Sequence, residues 1–106
     1  MLKEQDRKIV EQFADRVRRR FPSARIWAFG SRARGDAGPD SDLDLFIVLE
    51  HVDKETDSII REIAWEISFE NGLVISTIVM ERDEFEHGPM SASTLTANIL
   101  REGVPA

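Results

Sequence analysis

The sequence contains no cysteine, and this absence excludes disulfide bonds and thiolate metal sites. It also has no apolar run that approaches the roughly 20 residues of a membrane-spanning helix. Its first residues, MLKEQD, are polar and lack the apolar segment of a secretory signal peptide. We therefore expect a cytoplasmic protein that has no disulfides and no membrane partner.

Basic residues are fewer than acidic ones, and the formal net charge is −6. A domain that grips nucleic acid usually presents a basic surface, so we expect no direct binding to nucleic acid. The one basic concentration, RVRRR at residues 16–20, is typical of a solvated helix end, where cations interact favourably with the helix dipole. An acidic chain remains compatible with a nucleotide site, because the divalent cations that accompany a nucleotide supply positive charge.

The length of 106 residues fits one domain, residues 1–106, and leaves little room for a second, nucleic-acid-binding domain. Hydrophobic periodicity predicts long helices over residues 3–20, 54–71 and 91–102. Strands are predicted over residues 25–29, 42–49 and 73–80. Residues 81–89 are expected to be irregular, with at most one helical turn. This order indicates an α/β (α+β) fold, with helices packed on a small mixed β-sheet of three or four strands.

Two aspartates, Asp42 and Asp44, stand one residue apart on a predicted strand. Alternate residues of a strand point to the same face, so both carboxylates are expected to project together. Converging carboxylates repel each other unless a cation lies between them. Such hard oxygen ligands suit Mg²⁺ or Mn²⁺ bound together with the phosphates of a nucleotide. An isolated Asp-x-Asp pair, in contrast, more often marks a solvated strand end.

The Gly30-Ser31 pair lies between the first predicted strand and a short predicted helix, with Ser31 as N-cap and Gly35 at its end. Glycine lets the backbone approach a phosphate, and a helix N-terminus offers unpaired N–H groups. The Ser31 hydroxyl is a further donor, and Arg34 is near enough to reach the same phosphates. Taken alone, Ser31 is more often a plain cap and Arg34 a surface residue. The strand–turn–helix–loop–strand context favours a phosphate and metal site.

The segment GSRARG at residues 30–35, followed by SDLDL at residues 41–45, resembles the signature of the DNA polymerase beta-like nucleotidyltransferase superfamily. Its spacing is similar to that of the minimal nucleotidyltransferase (MNT) branch, and the resemblance spans the chain from the first helix to residues 98–103. It implies that Asp42 and Asp44 hold divalent metals and that Gly30 and Ser31 hold ATP or another nucleoside triphosphate. A hydroxyl then attacks the α-phosphorus, and pyrophosphate leaves.

The same resemblance implies a partner. Many MNT proteins act as antitoxins to HEPN-domain ribonuclease toxins, and some transfer AMP to a tyrosine of the HEPN protein. We therefore expect a HEPN-domain toxin as the partner of this chain, while the acceptor stays open between a protein hydroxyl and a small-molecule hydroxyl.

The family pattern also includes a third carboxylate on the third strand, and Ser76 occupies its expected position. No acidic residue occurs in residues 73–80, and Glu50 lies about 20 Å beyond Asp44 by strand rise. Three hypotheses stay open: an active transferase, a degenerate domain that neutralises a HEPN partner by contact, and a sensor that binds nucleotide without turnover. Intact Asp42 and Asp44 favour the first and third, whereas Ser76 favours the second. A partner could also supply the missing acid.

Trp65 and Phe69 are four residues apart on the second long helix, roughly opposite its isoleucine stripe, so they are expected to face outward together. Exposed aromatics at helical spacing indicate an interface of a homo- or hetero-oligomer, unless the last helix covers them. Trp27 falls on a buried strand and is expected in the core. His51 and His87 stand in polar segments, and we assign them no chemistry.

Overall fold

The chain folds into a four-stranded mixed sheet with helices on both faces. The computed structural model describes residues 2–38, 40–88 and 94–106. The helices are α1 (Glu4–Arg20), α2 (Gly30–Arg34), α3 (Lys54–Asn71), α4 (Arg82–His87) and α5 (Thr94–Glu102). The strands are β1 (Arg25–Phe29), β2 (Leu43–Leu49), β3 (Ile75–Glu81) and β4 (Val104–Pro105). The sheet order is β3-β2-β1-β4, in which β2 and β3 are parallel and the other pairs antiparallel. The predicted fold class is confirmed.

Helices α1 and α3 cover one face of the sheet. The apolar stripe of α1, at helical spacing, is buried and consists of Ile9, Val10, Phe13, Ala14 and Val17. Helix α3 contributes Ile60, Ala64 and Ile67 to the same core. The residues of β2 that point to this face are Leu43, Leu45, Ile47 and Leu49. At the rim, Arg16 of α1 pairs with Glu66 and Glu70 of α3, at 3.5 and 3.0 Å. The helical periodicity in the sequence therefore predicted this layer correctly.

Helices α4 and α5 cover the opposite face, over a smaller core built around aromatic rings. Its buried members are Trp27, Phe46, Val48, Met80, Phe85 and Ile99. Because β2 is buried on both faces, it is the covered, central strand that its unbroken apolar sequence predicts. The prediction that Trp27 belongs to the core is confirmed.

Two details of the structure differ from prediction. Residues 82–87 form helix α4, whose Phe85 packs inward, where an irregular segment was expected. Within α5, Ile99 points into the core, and the next residue, Leu100, is 56% exposed. Strand β4 was not predicted, since two residues carry no periodicity. The predicted start of the last helix, residues 91–93, lies outside the described residues.

The ends of α3 are defined by local chemistry. The Asp53 carboxylate accepts a hydrogen bond from the backbone N–H of Thr56 at 2.9 Å, and the Thr56 hydroxyl accepts one from the Asp53 N–H at 2.8 Å. This reciprocal pair is a capping box, which satisfies backbone donors that lack partners within the helix. Gly72 ends α3 in the left-handed conformation, with φ +67°.

In residues 2–38, 40–88 and 94–106, no helix combines the length and the apolar character that crossing a membrane requires.

Candidate functional site

Asp44 lies at the centre of a site formed by three neighbouring strands. The strand register pairs it with Phe29 of β1 on one side and with Ser76 of β3 on the other. The turn that follows Phe29 begins at Gly30, whose φ is +79°. A Cβ atom added at Gly30 would overlap the carboxylate of Asp44. The glycine turn and the carboxylate are therefore in direct contact, so a side chain at residue 30 would have to displace the carboxylate, and the positive φ also favours glycine there.

Asp42 stands beside Asp44 at the same end of β2. It precedes the strand, which begins at Leu43, one residue later than predicted. The Asp42 side chain is exposed and that of Asp44 is partly buried. Burial, and secondly the negative charge of Asp42, raise the pKa of Asp44 above its ordinary value. The two carboxylates are thus near enough for the charge of one to act on the other.

Helix α2 begins directly at the glycine turn. Its N-cap is Phe29 in an extended conformation, so the prediction that Ser31 is the N-cap is wrong. Ser31 is instead the second helical residue, because the left-handed Gly30 already starts the helical turn. The first amides of a helix have no carbonyl partner within it, which leaves the Gly30 and Ser31 N–H groups without one inside α2. A helix of five residues offers these local donors rather than a large dipole.

Arg34 is the last residue of α2. It lines, together with Phe29 and Gly30, a cleft of about 120 Å³ whose opposite wall includes Asn98 and Glu102 of α5. Its side chain is exposed, and its Nε lies 3.5 Å from Oδ2 of Asp36. Arg34 and Gly30 therefore line the same cleft, and the role of Arg34 in phosphate binding stays a prediction.

The donor set at this end of the sheet suits a nucleotide-bound metal better than a metal held by protein alone. Within the part of the chain that the structure describes, no three acidic, His or Cys side chains converge on one point. Mg²⁺ is commonly held by one or two carboxylates, with substrate phosphates and water completing its shell. Asp42 and Asp44 fit that arrangement. A cation between them would also relieve the repulsion that raises the pKa of Asp44.

Sequence reasoning missed an ion pair behind the site. Asp6 of α1 is only 5% exposed, and its Oδ1 lies 2.8 Å from Nη1 of Arg32 on α2. A signal was present in the sequence, since Asp6 falls three residues before Ile9 on the apolar stripe of α1. A charge on a buried stripe indicates a specific partner.

The histidines lie elsewhere, at the surface. His51 is within 3.4 Å of Asp53 and 3.5 Å of Glu81, and His87 is 3.5 Å from Asp83. Glu81 pairs with Leu49, at the end of β2 opposite Asp44. These contacts give no reason to place either histidine at the site.

Trp65 and Phe69 form a stacked pair on α3, with ring centroids 5.8 Å apart. They are 67% and 78% exposed, so the prediction that they face outward is confirmed. Both line an apolar groove of about 630 Å³ between α3 and the edge strand β3. The groove reaches Ile75 and Thr77, which alternate with Ser76 along β3, so it opens on the sheet face opposite Asp44.

Comparison with known proteins identifies the family and the fold of the chain. The family model of the nucleotidyltransferase domain matches residues 10–102. Two solved structures share the fold. A protein from Sulfolobus solfataricus described as a candidate nucleotidyltransferase has 24% identity and a TM-score of 0.54, over 92% of this chain and 76% of that one. A toxin-antitoxin structure with AMP-PNP has 15% identity and a TM-score of 0.59, over 90% of this chain and 70% of that one.

A comparison with curated protein sequences gives no significant match. The family model nevertheless covers most of the chain and includes both the glycine turn and the aspartate pair. The chain belongs to the nucleotidyltransferase domain family.

Proposed function

We propose that this protein transfers a nucleotide from a nucleoside triphosphate, ATP above all, to a hydroxyl group of a partner protein. The observation that carries the proposal is the contact between Gly30 and Asp44. It brings a turn with open backbone donors against a pair of carboxylates, which is the combination that a metal-bound triphosphate needs.

Each residue of the site has a role in this proposal. The Gly30 and Ser31 amides, with the Ser31 hydroxyl, bind phosphate oxygens, and Arg34 adds a positive charge beside them. Asp42 and Asp44 hold Mg²⁺ or Mn²⁺. Divalent ions bound there would offset the charge of the α-phosphate and of the leaving pyrophosphate. The acceptor oxygen forms a bond to the α-phosphorus, the bond to the β-phosphate oxygen breaks, and the hydroxyl proton passes to water or to a base of the partner.

We further propose that the partner is a HEPN-domain toxin, for which this chain is the antitoxin. The structural likeness to a toxin-antitoxin structure with AMP-PNP supports a toxin partner. The exposed Trp65–Phe69 pair supports a protein interface, since contiguous exposed aromatics are rare on isolated domains. In this proposal the partner covers that helix face.

A second function is favoured by one observation, the serine paired with Asp44. Ser76 adjoins the metal-binding end of β2, and its side chain cannot serve as a strong base there. General-base assistance is typically worth about 10²–10⁴-fold in rate, so transfer by this chain alone would be slow. The alternative is a catalytically degenerate domain that neutralises the toxin by contact.

One experiment separates these functions. The protein is incubated with Mg²⁺, labelled ATP and the protein encoded beside it, and label on that neighbour is measured. We expect the wild-type protein to label the neighbour and Asp42→Asn to abolish the labelling. The matched control Asp83→Asn also removes one negative charge, from α4, and should label the neighbour as the wild type does.

The other outcomes are equally informative. A stable complex without label would overturn the transfer activity and support contact inhibition. Mg²⁺-dependent ATP binding with neither label nor complex would instead indicate a nucleotide sensor.

A further inference from the structure

The ion pair between Asp6 and Arg32 connects the first turn of α1 to helix α2. The Asp6 carboxylate is almost fully buried and the Arg32 side chain is mostly buried. A buried carboxylate is costly unless a charged or hydrogen-bonding partner compensates it. Asp6 therefore holds the Arg32 guanidinium in one place, and it does so from outside the nucleotide-binding turn.

The other side of the same guanidinium reaches the loop that leads into β2. Nε of Arg32 donates a hydrogen bond to the backbone carbonyl of Ser41 at 2.7 Å. Ser41 directly precedes Asp42. On the far side of Asp42, the Leu43 N–H donates to the carbonyl of Val74 at 2.9 Å. The backbone on both sides of Asp42 is thus fixed, although Asp42 lies outside the strand and its side chain is exposed.

We infer that Arg32 is a positioning residue for Asp42: anchored by Asp6, it holds the Ser41 carbonyl so that the Asp42 carboxylate stays beside Asp44. This inference rests on the proposed function, since it assigns a purpose to the position of Asp42 as a metal ligand. Arginine suits the task because its planar fork donates in two directions at once, whereas lysine is a single point of charge. Groups that orient metal ligands typically contribute about 10–100-fold to metal affinity.

The test measures Mn²⁺ affinity by titration calorimetry in the presence of a non-hydrolysable ATP analogue. Arg32→Lys keeps the charge near Asp6 but cannot also donate to Ser41 with the same geometry. We expect it to weaken Mn²⁺ binding by about tenfold or more. Arg16→Lys is the matched control, because Arg16 also links two helices but pairs with Glu66 and Glu70. It should bind Mn²⁺ as the wild type does.

A second measurement separates positioning from general stability. Hydrogen exchange of the Ser41 amide, which is bonded to the Gly38 carbonyl at 3.2 Å, should accelerate in Arg32→Lys, while amides of β1 and β2 keep their protection. Asp6→Asn preserves the shape of the side chain and removes its charge. It should give a smaller change in the same direction, and it carries the test if the arginine variant does not fold.

The outcomes distinguish the positioning role of Arg32 from the proposed function on which it rests. If Asp42→Asn weakens Mn²⁺ binding while the Arg32 and Asp6 variants bind normally, the positioning role is overturned and the proposed function stands. If Asp42→Asn itself leaves Mn²⁺ affinity unchanged, the proposed function fails, whatever the other variants do.

Discussion

Gly30 and Asp44 occupy adjoining space at the end of the β1–β2 pair, and the carboxylate fills the volume that a side chain at Gly30 would take. Their contact joins the two halves of the site, because one residue belongs to the backbone turn and the other to the aspartate pair that we propose as the metal ligands. The positive φ of Gly30 turns the chain from β1 into α2 at this point. The backbone conformation at residue 30 and its packing against Asp44 thus both favour a residue without a side chain, which is glycine.

Gly30→Ala is expected to abolish binding of Mg²⁺ and ATP and to destabilise the fold. Gly72→Ala is the matched control, since Gly72 is also left-handed but has open space where a Cβ would lie. The left-handed conformation alone costs a non-glycine residue roughly 1–2 kcal/mol, which both variants should lose. The melting temperature should fall further in Gly30→Ala than in Gly72→Ala. In an ATP titration, only Gly30→Ala should lose affinity for ATP. Equal effects in both assays would contradict the contact with Asp44.

Ser76→Asp is expected to accelerate nucleotide transfer, because it places a carboxylate at the residue paired with Asp44. A base gained there should raise the transfer rate by about 10²-fold or more in single-turnover assays with Mg²⁺. In the presence of a chelator the same variant should unfold at a lower temperature, since three carboxylates then repel one another. Ser76→Asn has nearly the same shape without the charge and should change neither property. An unchanged rate in Ser76→Asp would show that the missing acid is not what limits transfer.

Trp65→Ala and Phe69→Ala are expected to weaken the complex with the partner protein while leaving ATP binding intact. Aromatic residues at the centre of an interface typically contribute about 2 kcal/mol or more, which corresponds to roughly a thirtyfold loss of affinity. Leu100→Ala is the control, because Leu100 is an exposed apolar residue on the other layer, on α5. Surface plasmon resonance with the partner protein immobilised measures the affinity of each variant. If the aromatic variants bind the partner as tightly as wild type, the interface lies elsewhere.

Asp53 should make the stability of α3 depend on pH. The Thr56 N–H bonded to its carboxylate is the main cause that lowers the pKa of Asp53. A carboxyl with a lower pKa in the folded state stabilises the fold above its unfolded pKa, which is about 3.9. That contribution is lost as the pH falls through the folded pKa.

Melting temperatures between pH 2 and pH 7 check this expectation. Asp53→Ala should melt lower than wild type at neutral pH, and the difference should shrink below about pH 4. Asp53→Asn keeps a capping oxygen without titrating, so it should remove that part of the pH dependence. A constant difference across the range would refute the contribution of the ionised cap.

The regular elements were predictable because their signals are local. The apolar stripes of α1 and α3 and the apolar run of β2 define which faces are buried, whatever surrounds them. Where the prediction failed, the structure depends on a contact between residues that are far apart in the sequence. Strand β4 exists because Val104 and Pro105 pair with Ala28 and Trp27 of β1, and the charged Asp6 is buried because it meets Arg32 of α2.

By itself, the sequence determined most elements of this protein and the chemistry it can offer: a glycine-serine turn, two aspartates one residue apart, and no acid in residues 73–80. Those properties follow from residue identity and spacing along a single chain. Only the tertiary structure decided that Gly30 contacts Asp44, that Ser76 pairs with Asp44, and that Arg32 bridges Asp6 to Ser41. These relationships join residues from separate elements, and sheet register and helix packing create them only when the chain is folded.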